Sequence, residues 1–201
     1  MHVLNDIDND HELPSTMNPI LLDLPDSCET DRLWLRCARA GDGAALNAAI
    51  IESITQLRQW MPWAREMPTS EQSEAYSRHA QANFLLRSDL TLRMLRKSDG
   101  LMVGSTGLHP RDWDVPSFEI GYWVRTSLAG QGYATEAVRG VTAFAIRHLQ
   151  SRRIQIRCDA ENLRSQRVAL AAGYVLESIS VNDCRTCDGQ LRTSHTYVHL
   201  A

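Results

Sequence analysis

Beyond residue 31 the hydrophobic positions recur with a period of two or of 3.6, and the changes of period mark out the elements. Arg32-Leu33-Trp34-Leu35-Arg36-Cys37 alternates strictly, as a strand with one buried face does. Asp42 stands in N-cap position ahead of Ala45, Leu46, Ala49 and Ile50, and the helical pattern runs on through Leu57 and Trp60 until Pro62. Ser70 opens a second helix through Tyr76, Ala80 and Phe84, with Glu71 and Glu74 in its first turns, where the helix dipole favours acids. Three strands follow at 90–95, 101–109 and 118–124, the first two joined by the turn signal Lys97-Ser98-Asp99-Gly100. From Gly130 the period returns to 3.6, and Ala134, Ala137, Val138, Val141, Ala145 and Leu149 form one apolar stripe. A strand at 154–158, a helix at 163–172 closed by Gly173, and two strands at 174–181 and 191–200 around Asp188-Gly189 complete the order.

This succession predicts one α/β domain of the α+β kind over 28–201. The order is strand, helices, three strands, helix, strand, helix and two strands, about seven strands flanked by helices. Residues 1–27 are polar, acidic and aperiodic, which predicts a flexible tail with a short docked segment around Ile20–Leu24. Eight of the 24 acids lie in residues 1–31, leaving 16 acids against 21 bases, a formal +5, in the remainder. A mildly basic body suits a phosphate-bearing ligand but falls short of a nucleic-acid footprint. No apolar run reaches the roughly 18 residues of a membrane span, and no secretory leader opens the chain, so a cytoplasmic location away from membranes is expected. Five scattered cysteines fit reduced thiols. Cys184-x-x-Cys187 with His195 and His199 has zinc-finger residue types. The seven residues between Cys187 and His195 are too few for a finger, however, so no metal is expected.

Chemistry concentrates in Glu119-Ile120-Gly121-Tyr122-Trp123-Val124 and Gly130-Gln131-Gly132-Tyr133-Ala134-Thr135-Glu136-Ala137, a strand, a short loop and a glycine-rich turn into a helix. Glycines at 130 and 132 let the backbone approach a ligand, and the helix start adds unpaired N–H groups and a positive dipole end, an arrangement suited to a diphosphate. The same glycines also serve a plain strand-to-helix turn. A P-loop is absent, and Thr135 occupies the place of the third glycine of a dinucleotide fingerprint.

These segments, with Asn162-x-x-Ser165 and Ala172-Gly173-Tyr174, resemble the GNAT acetyltransferases, and within them the branch that acetylates N-termini of ribosomal proteins. The likeness spans about 28–200, including Thr30–Arg36 and Leu57-x-x-Trp60-x-Pro62-Trp63-Ala64. It implies a GNAT-like mixed, mostly antiparallel sheet splayed between the strands at 118–124 and 154–158, with the pantetheine arm of acetyl-CoA in the splay and its pyrophosphate on the amides of Gly130, Gln131, Gly132, Tyr133 and Ala134. Ala129 departs from the Gln or Arg usual before the first glycine. The resemblance further implies an oxyanion donor at the Trp123 or Val124 amide, a cofactor contact from Asn162, and Ser165 as donor to the leaving thiolate, since the tyrosine many relatives carry is Ala169 here. Asn162 is equally a helix N-cap.

Glu119 is the first candidate base and equally a solvent-facing strand carboxylate; Glu71, Glu74 and His109 are the others. Trp60, Trp63 and His109 are expected to line the acceptor side. The predicted activity is N-acetylation of a primary amine, foremost a protein N-terminal amine, with a homodimer allowed. A small-molecule amine, antibiotic or toxin acetyltransferase, a non-catalytic acetyl-CoA-binding module and a nucleotide-dependent oxidoreductase are the competing readings.

Overall fold

The structure is a computed structural model and describes residues 18–186 and 189–200. Its strands are β1 (Ser27–Glu29), β2 (Leu33–Cys37), β3 (Leu90–Arg96), β4 (Met102–Asp112), β5 (Ser117–Val124), β6 (Arg153–Asp159), β7 (Val175–Arg185) and β8 (Leu191–Leu200). The helices are α1 (Gly43–Trp60), α2 (Ser70–Leu86), α3 (Tyr133–Leu149) and α4 (Leu163–Ala171). Among the described residues the strands form one sheet in the order β1-β2-β3-β4-β5-β6-β8-β7, antiparallel throughout except where β5 meets β6. No helix among them is long and apolar enough to cross a membrane.

Strand alternation divides the sheet's side chains between two layers. One face presents Leu33, Leu35, Leu92, Met94, Leu108, Ile120, Ile154 and Ile156 to the stripe of α3, where Ala137, Val138, Val141 and Ala145 are buried. Each large aliphatic side chain sealed there contributes about 1.5–3 kcal/mol. The other face is covered by α1 and α2, and a smaller cluster of Leu46, Ile50, Ile54, Leu57, Ala64 and Met102 forms beneath α1.

Several local expectations are corrected. The Asp42 side chain does not cap α1; its carboxylate is taken by Arg36 and the Arg39 amide. Glu74 of α2 takes that place, accepting from the Gly41 and Gly43 amides, which removes it from the candidate bases. Ser70 opens α2 as expected, and Thr69 before it caps the helix in a reciprocal capping box with Gln72. The helix expected from Gly130 starts at Tyr133, because Gly130 and Gly132 hold φ of 78° and 83°. Strand β1, inside a segment with no alternation to reveal it, adds an eighth strand and begins at Ser27. In the segment around Ile20–Leu24, Leu24 is buried and the Leu22 carbonyl accepts from Arg87, while Ile20 and Leu21 are exposed. Residues 1–17, Cys187 and Asp188 lie outside the described residues.

Candidate active site

The parallel contact between β5 and β6 is short. It pairs Ser117, Phe118 and Glu119 with Arg153, Ile154 and Gln155, while β5 runs on to Val124 and β6 to Asp159 without pairing. Backbone polarity in this opening follows from one bond. The Arg125 amide donates to the Val103 carbonyl of β4, so by alternation the Trp123 amide also faces β4 and the Val124 amide faces the opening. Of the two candidate oxyanion donors, Val124 therefore has the free N–H.

At the far end of the opening the amides of Gly130, Gln131, Gly132, Tyr133 and Ala134 find no acceptor among the described residues. The left-handed glycines and the first turn of α3 make an anion cradle that fits a pyrophosphate. Arg125 is not available to it: its guanidinium donates to the Met102 carbonyl and to Glu52, which also binds Ser127 and so anchors the loop. The cation beside the turn is Arg32, bonded to Glu136 and to the Gln131 carbonyl, with its guanidinium 4.4 Å from the Tyr133 ring centre. Its alternating strand position gave no hint of this. Asn162 caps α4, accepting from the Ser165 amide at 3.1 Å. The Ser165 hydroxyl lies 2.8 Å from the Tyr122 hydroxyl, which also donates to the Ser165 carbonyl at 3.1 Å. Burial raises the Tyr122 pKa well above that of an ordinary phenol, so it stays protonated.

Beside the opening, on the face covered by α1 and α2, lies a cavity of about 470 Å³. Trp63, Met61, Leu46 and Ile50 form its apolar wall, Trp123 and Gly121 its β5 side, and His109 one end. Trp63 and Trp123 are 6.2 Å apart at their ring centres. Trp60, placed by the sequence on the acceptor side, does not line the cavity, and Glu71 is an exposed acid of the first turn of α2. Glu119 does not line it either; its carboxylate accepts from Gln155 at 2.9 Å and lies 3.9 Å from Arg111.

His109 stands opposite Glu119 across the β4–β5 ladder, and its Nδ1 is 2.6 Å from an Asp89 oxygen. A carboxylate can only accept, so Nδ1 carries the proton and Nε2 is left as the basic atom of the neutral ring. Nε2 faces Gly121. The hydrogen bond to Asp89 raises the His109 pKa, burial opposes it, and the charges of Asp89 and Glu119 add to the rise. Asp89 lies in the turn before β3, where only the sheet register brings it to His109. Among the described residues no group of three or more His, Cys, Asp or Glu could hold a metal ion. Cys184 contacts Arg192 and Ser194 instead.

A sheet that opens between two strands, an amide cradle at a helix start and an adjoining cavity define an acyl-transfer scaffold. Residues 32–175 match the family described as the acetyltransferase (GNAT) domain, and the chain belongs to that family and is an acyltransferase. The ribosomal-protein-serine acetyltransferase of Escherichia coli (strain K12) is 29% identical over 133 residues, 64% of this chain and 73% of that protein. The microcin C7 self-immunity acetyltransferase MccE, solved with acetyl-CoA and AMP, superposes with a TM-score of 0.79 at 19% identity, covering 85% of this chain and 93% of that one. RimL, a ribosomal L7/L12 alpha-N-protein acetyltransferase solved with coenzyme A, superposes with a TM-score of 0.76 at 22% identity, covering 88% and 97%.

Proposed function

We propose that the chain moves the acetyl group of acetyl-CoA to a primary amine, and that the amine is a protein N-terminus. The observation that carries this reading is the free Val124 amide in the opening of the sheet, between the amide cradle at 130–134 and the cavity that ends in His109. The pyrophosphate sits on the cradle, the pantetheine arm in the opening, and the amine enters through the cavity. The name of the Escherichia coli relative, ribosomal-protein-serine acetyltransferase, supports a protein acceptor, and that of RimL, an alpha-N-protein acetyltransferase, supports its N-terminus.

In this reading His109 Nε2 takes the proton of the attacking ammonium, directly or through one water, with Asp89 holding the ring in the required tautomer. The amine nitrogen bonds to the thioester carbon while the Val124 N–H supports the charge developing on oxygen. The carbon–sulfur bond then breaks, and the Ser165 hydroxyl gives its proton to the thiolate while regaining the second proton that the nitrogen loses on becoming an amide, so the serine ends protonated. Tyr122, bonded to the Ser165 carbonyl, keeps the serine oriented. Glu119 acts on His109 through its charge rather than as the base.

The cavity volume, inside the roughly 300–1,000 Å³ range of small-ligand sites, favours a small-molecule amine as the second reading. A thermal-shift titration with acetyl-CoA, followed by thiol release with N-terminal peptides and small amines, tests both. Stabilisation growing by mass action, with thiol release for peptides, is the expected result. Turnover with small amines alone would select the second reading, and no stabilisation at millimolar acetyl-CoA would overturn both.

A further inference from the structure

The cavity is electrically lopsided. Register places Arg93, Ser105 and Trp123 in one row across β3, β4 and β5, with Thr91, Gly107 and Gly121 in the next and His109 with Glu119 beyond. The middle row carries little side chain, so it forms a hollow between two charged ends. Arg93 lines this hollow and is fully buried. Its Nη1 donates to Ser105 at 2.9 Å and its Nη2 to Ser77 at 3.1 Å, while Nε has no hydrogen-bond partner and the guanidinium rests 5.4 Å from the Tyr76 ring centre.

Two of the five N–H donors are thus engaged and a third is shown unpaired, in a place where an unpaired donor is costly. Compensating charge is short as well. Asp42 is 3.8 Å from Arg93 Nε, but both its oxygens already bind Arg36, itself buried, so two buried cations share one carboxylate. No acidic side chain lines the cavity. Asp89 and Glu119 flank His109 at the opposite end.

We infer that the acceptor carries a carboxylate in addition to its amine, and that Arg93 selects it. This rests on the transferase reading above. The ammonium is drawn to the His109 end, with its two acids, and the carboxylate to the uncompensated positive end behind Ser105 and Tyr76. Such a carboxylate comes either from an acidic side chain at a peptide N-terminus or from a free amino acid.

The test uses the full chain saturated with CoA. Calorimetric titration compares N-acetylglutamine with its α-amide, which lacks the free amino acid's carboxylate, and a short C-terminally amidated peptide beginning with N-acetylglutamate with its glutamine counterpart. The acid is expected to bind at least 10-fold tighter in one pair, and which pair shows it identifies the source of the carboxylate. Thiol release with the corresponding free amines should follow the same preference. Arg93→Gln should bring the ratio close to one, and Arg93→Lys should restore part of it. Should Arg93→Gln fail to fold, the comparison in the unmodified chain still decides. Equal binding of acid and amide in both pairs would overturn the inference whether or not transfer occurs. Absence of thiol release with every amine would count against the transferase reading alone.

Discussion

Adding one methyl group at Gly121 probes the positioned histidine without touching any titratable atom. A Cβ there would lie 2.9 Å from His109 Nε2 and 3.5 Å from its Cδ2. Ordinary non-bonded separation is about 3.5 Å, so the ring must retreat by roughly 0.6 Å. It cannot do so freely, because Nδ1 is held at 2.6 Å by Asp89. A misplacement near 1 Å costs up to about 10²-fold in rate, so Gly121→Ala should lower kcat by about 10- to 100-fold. Stability should scarcely change. Alanine is favoured over glycine in a strand by roughly 0.5–1 kcal/mol, which offsets the tight contact, and Tm should stay within about 4 °C. Thiol release gives kcat and the KM for acetyl-CoA, which should hold because the cradle at 130–134 is untouched. In a His109→Asn background the glycine substitution should cost nothing further. Wild-type kcat in Gly121→Ala, at unchanged Tm, would refute the role assigned to His109.

Three further outcomes follow from the same geometry. Because the hydrogen bond to Asp89 raises the His109 pKa and the base must be neutral, the acid limb of kcat/KM should lie above the ordinary histidine value, and Asp89→Asn should move it to lower pH; a pH–rate profile checks both. Gly104→Ala should be destabilised by about 3 kcal/mol, since its Cβ would sit 2.1 Å from the Trp123 carbonyl oxygen, and a denaturant titration reads the loss. For Asp42, burial raises the carboxyl pKa, but the bonds from Arg36 and the Arg39 amide outweigh it and the net pKa is lowered. Its stabilisation is therefore full above the unfolded carboxyl pKa and is lost as pH falls through the lower folded value. Asp42→Asn strips two buried arginines of their shared partner and should cost about 3–5 kcal/mol at neutral pH, measured by thermal melts across pH.

What was legible in the sequence was whatever a local period or a short motif encodes. The stripe from Ala134 to Leu149, the alternation at 32–37, the turn at 97–100 and the glycine signature at 130–137 reappear as α3, β2, a hairpin and a left-handed glycine turn into α3. Their physics is short-ranged, acting within a turn of helix or between neighbours on a strand. The resemblance drawn from those motifs reached the family to which the chain belongs. The unseen contacts depend on register between distant segments. Glu74 looked like a helix-dipole acid until α2 packed beside the start of α1, where its carboxylate is the nearest acceptor for two amides. Arg125 directly follows β5 on the way to the glycine turn, but Glu52, on α1 beside the loop, claims it. Asp89 and His109 are 20 residues apart in sequence, and Arg36, Asp42 and Arg93 lie on three separate segments, so no spacing could announce either group. The sequence by itself determined the elements and the glycine turn that leaves its amides free. Only the sheet register decided which side chains line the cavity and what charge they present, because a buried charge acts through partners that tertiary packing alone brings within reach.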